Sequence, residues 1–286
     1  MENVVRAISK FGSIIIVAID STLIVRRMEK LHKTSATASA AFGRTLTAAS
    51  LIGSLLKNEE DSVTVQIRGN GPIGVITAVG DYMGNVRGRC ENPYADLPLN
   101  FTTNKLDVKG IVGEHGTLIV TKDIGLKEPY IGQIPLVSSE IAEDITAYYA
   151  YSEQIPTVCS LGVLVDKDLS IKSAGGFLLQ LLPGANEDEI SLIEKNISNI
   201  ESVTSMIEKG FTPKDIIDCV MNGFDMEILD EYTALYICNC NDSYMQDILK
   251  SLPKEQLEEA VLEDGFIEII CSYCNTRYRY KPKDLM

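Results

Sequence analysis

Histidine is nearly missing from this 286-residue chain, and neither His32 nor His115 stands in a motif that sets a general base beside a nucleophile. No G-x-x-x-x-G-K-[ST] loop occurs, so the phosphate cradle of a P-loop ATPase is not written here. A G-x-G-x-x-G pattern does occur at Gly69 to Gly74, but it contains Pro72 and joins two strand-like runs. A dinucleotide fingerprint has to open a helix, so this stretch reads as a hairpin turn. The chain is therefore not expected to be an enzyme.

Basic surface is scarce too. The net charge is -14, with 17 cations against 19 anions in residues 1–184, 3 against 12 in 185–235 and 6 against 9 in 236–286. No large segment offers the positive face that nucleic acid or an anionic membrane requires, which excludes both as main partners. Long apolar runs are lacking as well. The run Ser13 to Ile19 stops at Asp20 with no small-residue cleavage pattern after it, unlike a secretory signal. Thr34 to Leu56 carries Arg44 mid-span among many Thr and Ser residues, which suits a buried Ala-rich helix better than a membrane span. A cytoplasmic protein is expected, in a compartment where thiols stay reduced.

What is present is a mixed pattern. Ser13 to Ile19 has strand length, and Thr34 to Lys57 is helical. Val63, Val65 and Ile67 alternate, and breaks at Gly69 to Pro72 and near Gly84 divide residues 62–90 into a three-stranded antiparallel meander. Residues 117–123 add a strand. After Ser138 or Ser139 as N-cap, Glu140 to Ser152 reads as a helix with Ile141, Ile145, Tyr148 and Tyr149 on one face. Two further apolar runs, "TVCSLGVLV" and "LSIKSAGGFLLQLL", complete an α+β domain rich in antiparallel sheet, residues 1–183.

The composition then turns acidic. Asn186 and Glu189 have capping-box spacing, followed by Ile190, Ile193, Ile197 and Ile200 at helical intervals. Thr212 as N-cap and Pro213 at the first helical position open a second helix with Ile216, Ile217, Val220 and Met221 on one side. Residues 184–231 thus read as an amphipathic helical linker, marginal unless it packs on something. Residues 232–286 form a last unit: a helix capped by Asp242, another opened by Pro253, then the strands "FIEIIC" and "TRYRY". A unit this small needs a metal or disulfides to hold it.

Its cysteines fit that need. Cys238 and Cys240 leave one face of an extended chain, and Cys271 and Cys274 straddle a turn after a strand. Four thiolates at about 2.3 Å from one ion make a closed tetrahedral zinc site, with an iron–sulfur cluster as the other metal reading. Each pair can also close a disulfide within itself, which would deprive the ion of its ligands and unfold the unit. Cys90, Cys159 and Cys219 are isolated and read as ordinary core or surface thiols. A zinc-ribbon nucleic-acid module and a thiol oxidoreductase are the rival readings. The acidic charge opposes the first, and a C-x-x-C after a strand, not at a helix start, opposes the second.

The stretches "GRTLTAASLIGSLLK", "QIRGNGPIG", "NPYADLPLN", "GLKEPYIGQIPLVSSEIAEDI", "SEQIPTVCSLGVLV", "AGGFLLQLLPGA", "CNC" and "CSYCN", in this order, resemble the redox-regulated 33-kilodalton heat-shock chaperone family along nearly the whole chain. The resemblance implies one Zn2+ held by Cys238, Cys240, Cys271 and Cys274, and oxidised pairs Cys238 with Cys240 and Cys271 with Cys274. It further implies an ATP-independent holdase for unfolding client proteins, inactive while reduced and zinc-bound. Oxidative stress would activate it through zinc loss, linker unfolding and formation of a homodimer.

Overall fold

The computed structural model describes residues 2–285, which divide into two compact units, residues 2–236 and 237–285. In the first unit the order is β1 (Val4–Ser9), β2 (Ile14–Asp20), α1 (Thr22–His32), α2 (Ala36–Gly53), β3 (Ser62–Gly69), β4 (Val75–Asp81), β5 (Val86–Cys90), α3 (Val108–Val112), β6 (Gly116–Asp123) and β7 (Tyr130–Pro135). It continues through α4 (Ala142–Tyr148), which runs into one wide turn at Tyr149–Glu153, then β8 (Thr157–Val165) and β9 (Ile171–Leu181). Three helices, α5 (Glu187–Asn199), α6 (Val203–Glu208) and α7 (Pro213–Val220), lead to β10 (Met226–Tyr232). The fold is α+β, as expected.

Two antiparallel five-stranded sheets carry this unit, ordered β10-β1-β2-β9-β8 and β5-β4-β3-β6-β7. Helix α2 packs against strands of both. Its Ala, Ser, Thr and Gly residues are nearly all buried, and small side chains let both sheets approach closely. A Cβ placed on Gly80 of β4 would stand 2.3 Å from the Ala49 carbonyl oxygen, so only glycine fits that contact. Arg44, the helix's one charge, is paired with Glu140 at 2.6 Å. Ser35 caps the helix by accepting from the Ala38 amide.

The meander over residues 62–90 is present in register, Val65 opposite Ala78 and Ala78 opposite Gly88. The Gly69 to Gly74 stretch is the β3–β4 turn. At α4 the cap differs from the expectation of Ser138 or Ser139. The buried Asp144 carboxylate accepts from the amides of Val137, Ser138, Ser139 and Ile141, and Ile141 at φ +73° precedes the helix. An acceptor inside the first turn gathers these donors, while the Ser138 hydroxyl accepts from the Glu140 amide ahead of the helix and the Ser139 hydroxyl donates to the Gly113 carbonyl. The expected apolar face of Ile141, Ile145, Tyr148 and Tyr149 is buried.

The acidic segment is packed rather than extended between units. Helices α5–α7 put Ile193, Val203, Met206, Ile216, Ile217, Val220 and Met221 into one apolar cluster with Val5, Ala7, Ile14, Ile16, Ala18, Phe177 and Leu179 of the sheet. Residues 184–231 lie within the first compact unit, which runs to Tyr236. The reason is β10: it pairs antiparallel with β1, Val4 opposite Tyr232 and Ser9 opposite Met226, so the chain re-enters the sheet before leaving the unit. Both capping boxes, Asn186 with Glu189 and Thr212 with Asp215, are formed. Among the described residues, no helix is long and apolar enough to cross a membrane.

Candidate metal centre

The second unit contains α8 (Asp242–Lys250), α9 (Lys254–Glu259), β11 (Ile267–Ile270) and β12 (Arg277–Tyr280). The two strands pair as a hairpin with Ile269 opposite Tyr278. Asn241, one residue before the expected cap Asp242, accepts from the Tyr244 amide at the start of α8. Pro253 immediately precedes α9. The apolar interior is slight: Met245, Leu249, Leu257, Ile267, Tyr280 and Leu285, joined by Cys271. Burial on that scale does not offset the ordering entropy of such a segment by a comfortable margin.

Backbone geometry presents the thiols. Cys238 and Cys240 lie in the extended chain leading into α8, one residue apart, so both can point the same way. Cys271 directly follows β11, and the chain then turns tightly: the Asn275 amide donates to the Cys271 carbonyl at 2.8 Å and the Cys271 amide to the Thr276 carbonyl at 3.0 Å. Asn275 takes φ +56°, a left-handed conformation that asparagine tolerates better than most residues. The knuckle brings Cys274 back beside Cys271.

All four sulphurs lie within 4.8 Å of one another. Two close approaches cross the pairs, Cys238 to Cys271 at 3.6 Å and Cys240 to Cys274 at 3.3 Å. Ligands at about 2.3 Å from a tetrahedral ion stand about 3.8 Å apart, so this spacing fits a tetrathiolate zinc site. The donor set fits as well, because soft thiolates select zinc or an iron–sulfur cluster over hard cations. Burial pushes the Cys238 thiol up, and Cys240 likewise. At Cys274 burial works in the same direction, but hydrogen bonds from Thr276, Cys240 and Cys271 together outweigh it and bring the thiol down to about 7. A divalent ion would hold all four as thiolates.

The other three thiols stand apart from this cluster and are half-buried. Burial pushes Cys90 up to about 12 and Cys159 higher still, and Cys219 is raised by burial and by Asp218 and Asp215. Each is thereby a poor nucleophile. Two neighbours of the cluster escaped sequence reasoning: Tyr278, whose hydroxyl donates to the Cys240 sulphur at 3.2 Å, and Thr276, whose hydroxyl lies 3.1 Å from the Cys274 sulphur. The period-two alternation of "TRYRY" was the available signal, since it puts the hydroxyl residues on one face and the arginines on the other.

A family model described as Hsp33 protein matches residues 2–281. The 33 kDa chaperonin of Acetivibrio thermocellus is 44% identical over 285 residues, covering 100% of this chain and 96% of the relative. That of Lacticaseibacillus casei is 43% identical, covering 99% of this chain and 97% of the relative. The crystal structure of the Thermotoga maritima 33 kDa chaperonin, a heat shock protein 33 homologue, superposes with a TM-score of 0.90 at 34% identity, covering 100% of this chain and 97% of that one. With a family model spanning nearly all of its residues and close relatives along its full length, the chain belongs to the Hsp33 chaperone family.

Proposed function

We propose that the protein is a cytoplasmic, ATP-independent holdase whose client binding is controlled by the oxidation state of Cys238, Cys240, Cys271 and Cys274. One observation carries this reading: four thiols from two distant segments converge within 4.8 Å in a unit with little other core. Zn2+ bound to them would supply a structural cross-link between the chain before α8 and the β11–β12 knuckle. When two thiolates of a pair, Cys238 with Cys240 or Cys271 with Cys274, form a sulphur–sulphur bond, they give two electrons to one hydrogen peroxide. The peroxide oxygen–oxygen bond breaks, two protons are taken up and two waters leave. Both pairs oxidised means no thiolate remains to hold the ion, and a unit of this size loses its fold.

The surface for clients would come from the first unit. Helices α5, α6 and α7 have 13, 6 and 8 residues, too short to persist alone, and they cover apolar side chains of β1, β2 and β9. Their release would expose that sheet face together with their own Ile and Met residues, a patch of the kind that binds unfolded chains or a second copy of this chain. The acidic charge of residues 185–235 would keep a loaded complex soluble. The test is light scattering of an unfolding client, with zinc followed by a chromogenic chelator. Suppression of aggregation only after peroxide treatment, together with zinc release, supports the reading. Equal suppression by the reduced, zinc-loaded protein would remove the switch.

A further inference from the structure

The stretch "RYRYKPK" interleaves aromatics with cations, and Thr276 directly precedes it. Both faces of this stretch are occupied within the unit. On one, Arg277 reaches Glu268 at 3.5 Å, Arg279 pairs with Asp264, and the Arg279 guanidinium lies 4.8 Å from the Phe266 ring. On the other, three hydroxyls at alternate positions each find a partner: Thr276 at Cys274, Tyr278 at Cys240, and Tyr280 at the carbonyl and carboxylate of Asp242, both at 3.1 Å. Two of the three therefore end on sulphurs of the metal centre. These two sulphurs, one from each cysteine pair, lie 3.3 Å apart.

We propose that Tyr278 and Thr276 are positioning residues of the metal centre, whose hydroxyls donate to the Cys240 and Cys274 thiolates and set how tightly these two ligands retain a bound metal. This rests on the zinc-holding reading of the four cysteines. The physical reason is charge. Four thiolates around a divalent ion leave a net charge of about -2, and a hydroxyl donor to sulphur disperses it without competing for the ion. Tyr278 sits on β12, paired with β11 in the hairpin, and Thr276 directly precedes that strand with its carbonyl accepting from the Cys271 amide at 3.0 Å, so backbone hydrogen bonds fix the aim of both donors. An ion-dispersing role also explains why the hydroxyls point inward while the arginines of the same strand point to carboxylates away from the sulphurs.

The test uses the full reduced chain loaded with zinc, and in parallel with cobalt(II) as a spectroscopic probe. Tyr278→Phe and Thr276→Val remove one hydroxyl each while keeping shape; Thr276→Ser restores the donor. Outer-shell partners of metal ligands typically change metal retention by about 10–100-fold. Tyr278→Phe and Thr276→Val are expected to lose zinc to a competing chelator about tenfold more readily. Thr276→Ser should behave as the parent, and the sulphur-to-cobalt charge-transfer band should shift in the first two variants only. Parent-like retention with unshifted bands in both would overturn the assignment. Faster loss with unshifted bands would overturn it too, because that signals general loosening of the hairpin. A change in one variant alone would remove the other hydroxyl from the proposal. If the parent chain itself held no stoichiometric metal, the zinc reading would fall first, an outcome distinct from all of these.

Discussion

In the first unit, α2 buries nearly every residue between two five-stranded sheets, and side chains as large as Phe42, Tyr148 and Phe177 are fully enclosed. In the second unit the core consists of six apolar side chains and a cysteine, and four sulphurs occupy the place where more hydrocarbon would stand in a larger domain. The contrast teaches where control can reside. A fold held by burial responds weakly to the chemical surroundings, since no single reaction removes its driving force. A fold held by metal-bound thiolates, as proposed above for the second unit, would be abolished by withdrawing four electrons. Between these extremes lie α5–α7, which belong to the large unit and hold to it through one apolar cluster and a few polar contacts, Lys172 with Glu208, Ser13 with Glu189 and Ser173 with Thr204.

The largest expected effect separates the units outright. Cys238→Ser, or exhaustive chelation of the reduced chain, should unfold residues 237–285, since structural zinc contributes on the order of 10 kcal/mol or more to such small folds. Amide hydrogen exchange should show protection lost throughout β11 and β12 but retained in β2 and β9. Persisting protection in the hairpin would erase the distinction drawn here. Next in size, Phe42→Ala should destabilise the first unit by about 3–5 kcal/mol through the cavity it leaves. Its thermal midpoint should fall while zinc retention stays unchanged, and coupled loss of both would show that the two folds are not independently held.

A smaller effect probes the intermediate helices. Ile217→Ala, in the stripe of α7 against the sheet, should cost about 2–5 kcal/mol locally. It should allow client binding without oxidant, measured as suppression of aggregation by the reduced protein. An unchanged oxidant requirement would mean that α7 is not part of the release. The smallest concerns its cap. Hydrogen bonds from the Thr212 hydroxyl and amide hold the Asp215 carboxyl below its ordinary 3.8. Because the folded value is depressed, the stabilisation is complete above the unfolded carboxylate value and fades as the pH falls through the folded one. Thr212→Ala should cost about 1 kcal/mol near neutrality. Acid titration followed by circular dichroism should show that difference shrinking below about pH 4.

How much was legible depends on the signal's range. The capping box at Asn186, the N-cap at Thr212, the meander from Val63 to Val86 and the Ala-rich helix around Arg44 rest on neighbours a few positions apart, and all are present. Strand β10 escaped because "MEILDEY" alternates only weakly, with Leu229 on the open side, and its partner β1 lies more than two hundred residues away. Asp144 as the true cap of α4 escaped because its four amide partners lie in a looping chain with two positive φ values, at Ser139 and Ile141. Helix α1 carried no expectation either, though its buried stripe of Ile24, Val25, Met28 and His32 is plain once seen.

The spacing of Cys238, Cys240, Cys271 and Cys274 by itself pointed to one cluster of four thiols, which the structure brings within 4.8 Å of one another, because ligand chemistry depends on residue type and short intervals that a sequence states directly. Tertiary structure alone decided that the acidic helices lie on a sheet and that Tyr278 and Thr276 address two of the sulphurs. Those arrangements depend on which distant strands pair and in what register, and pairing energy is spread over many contacts that no local pattern encodes.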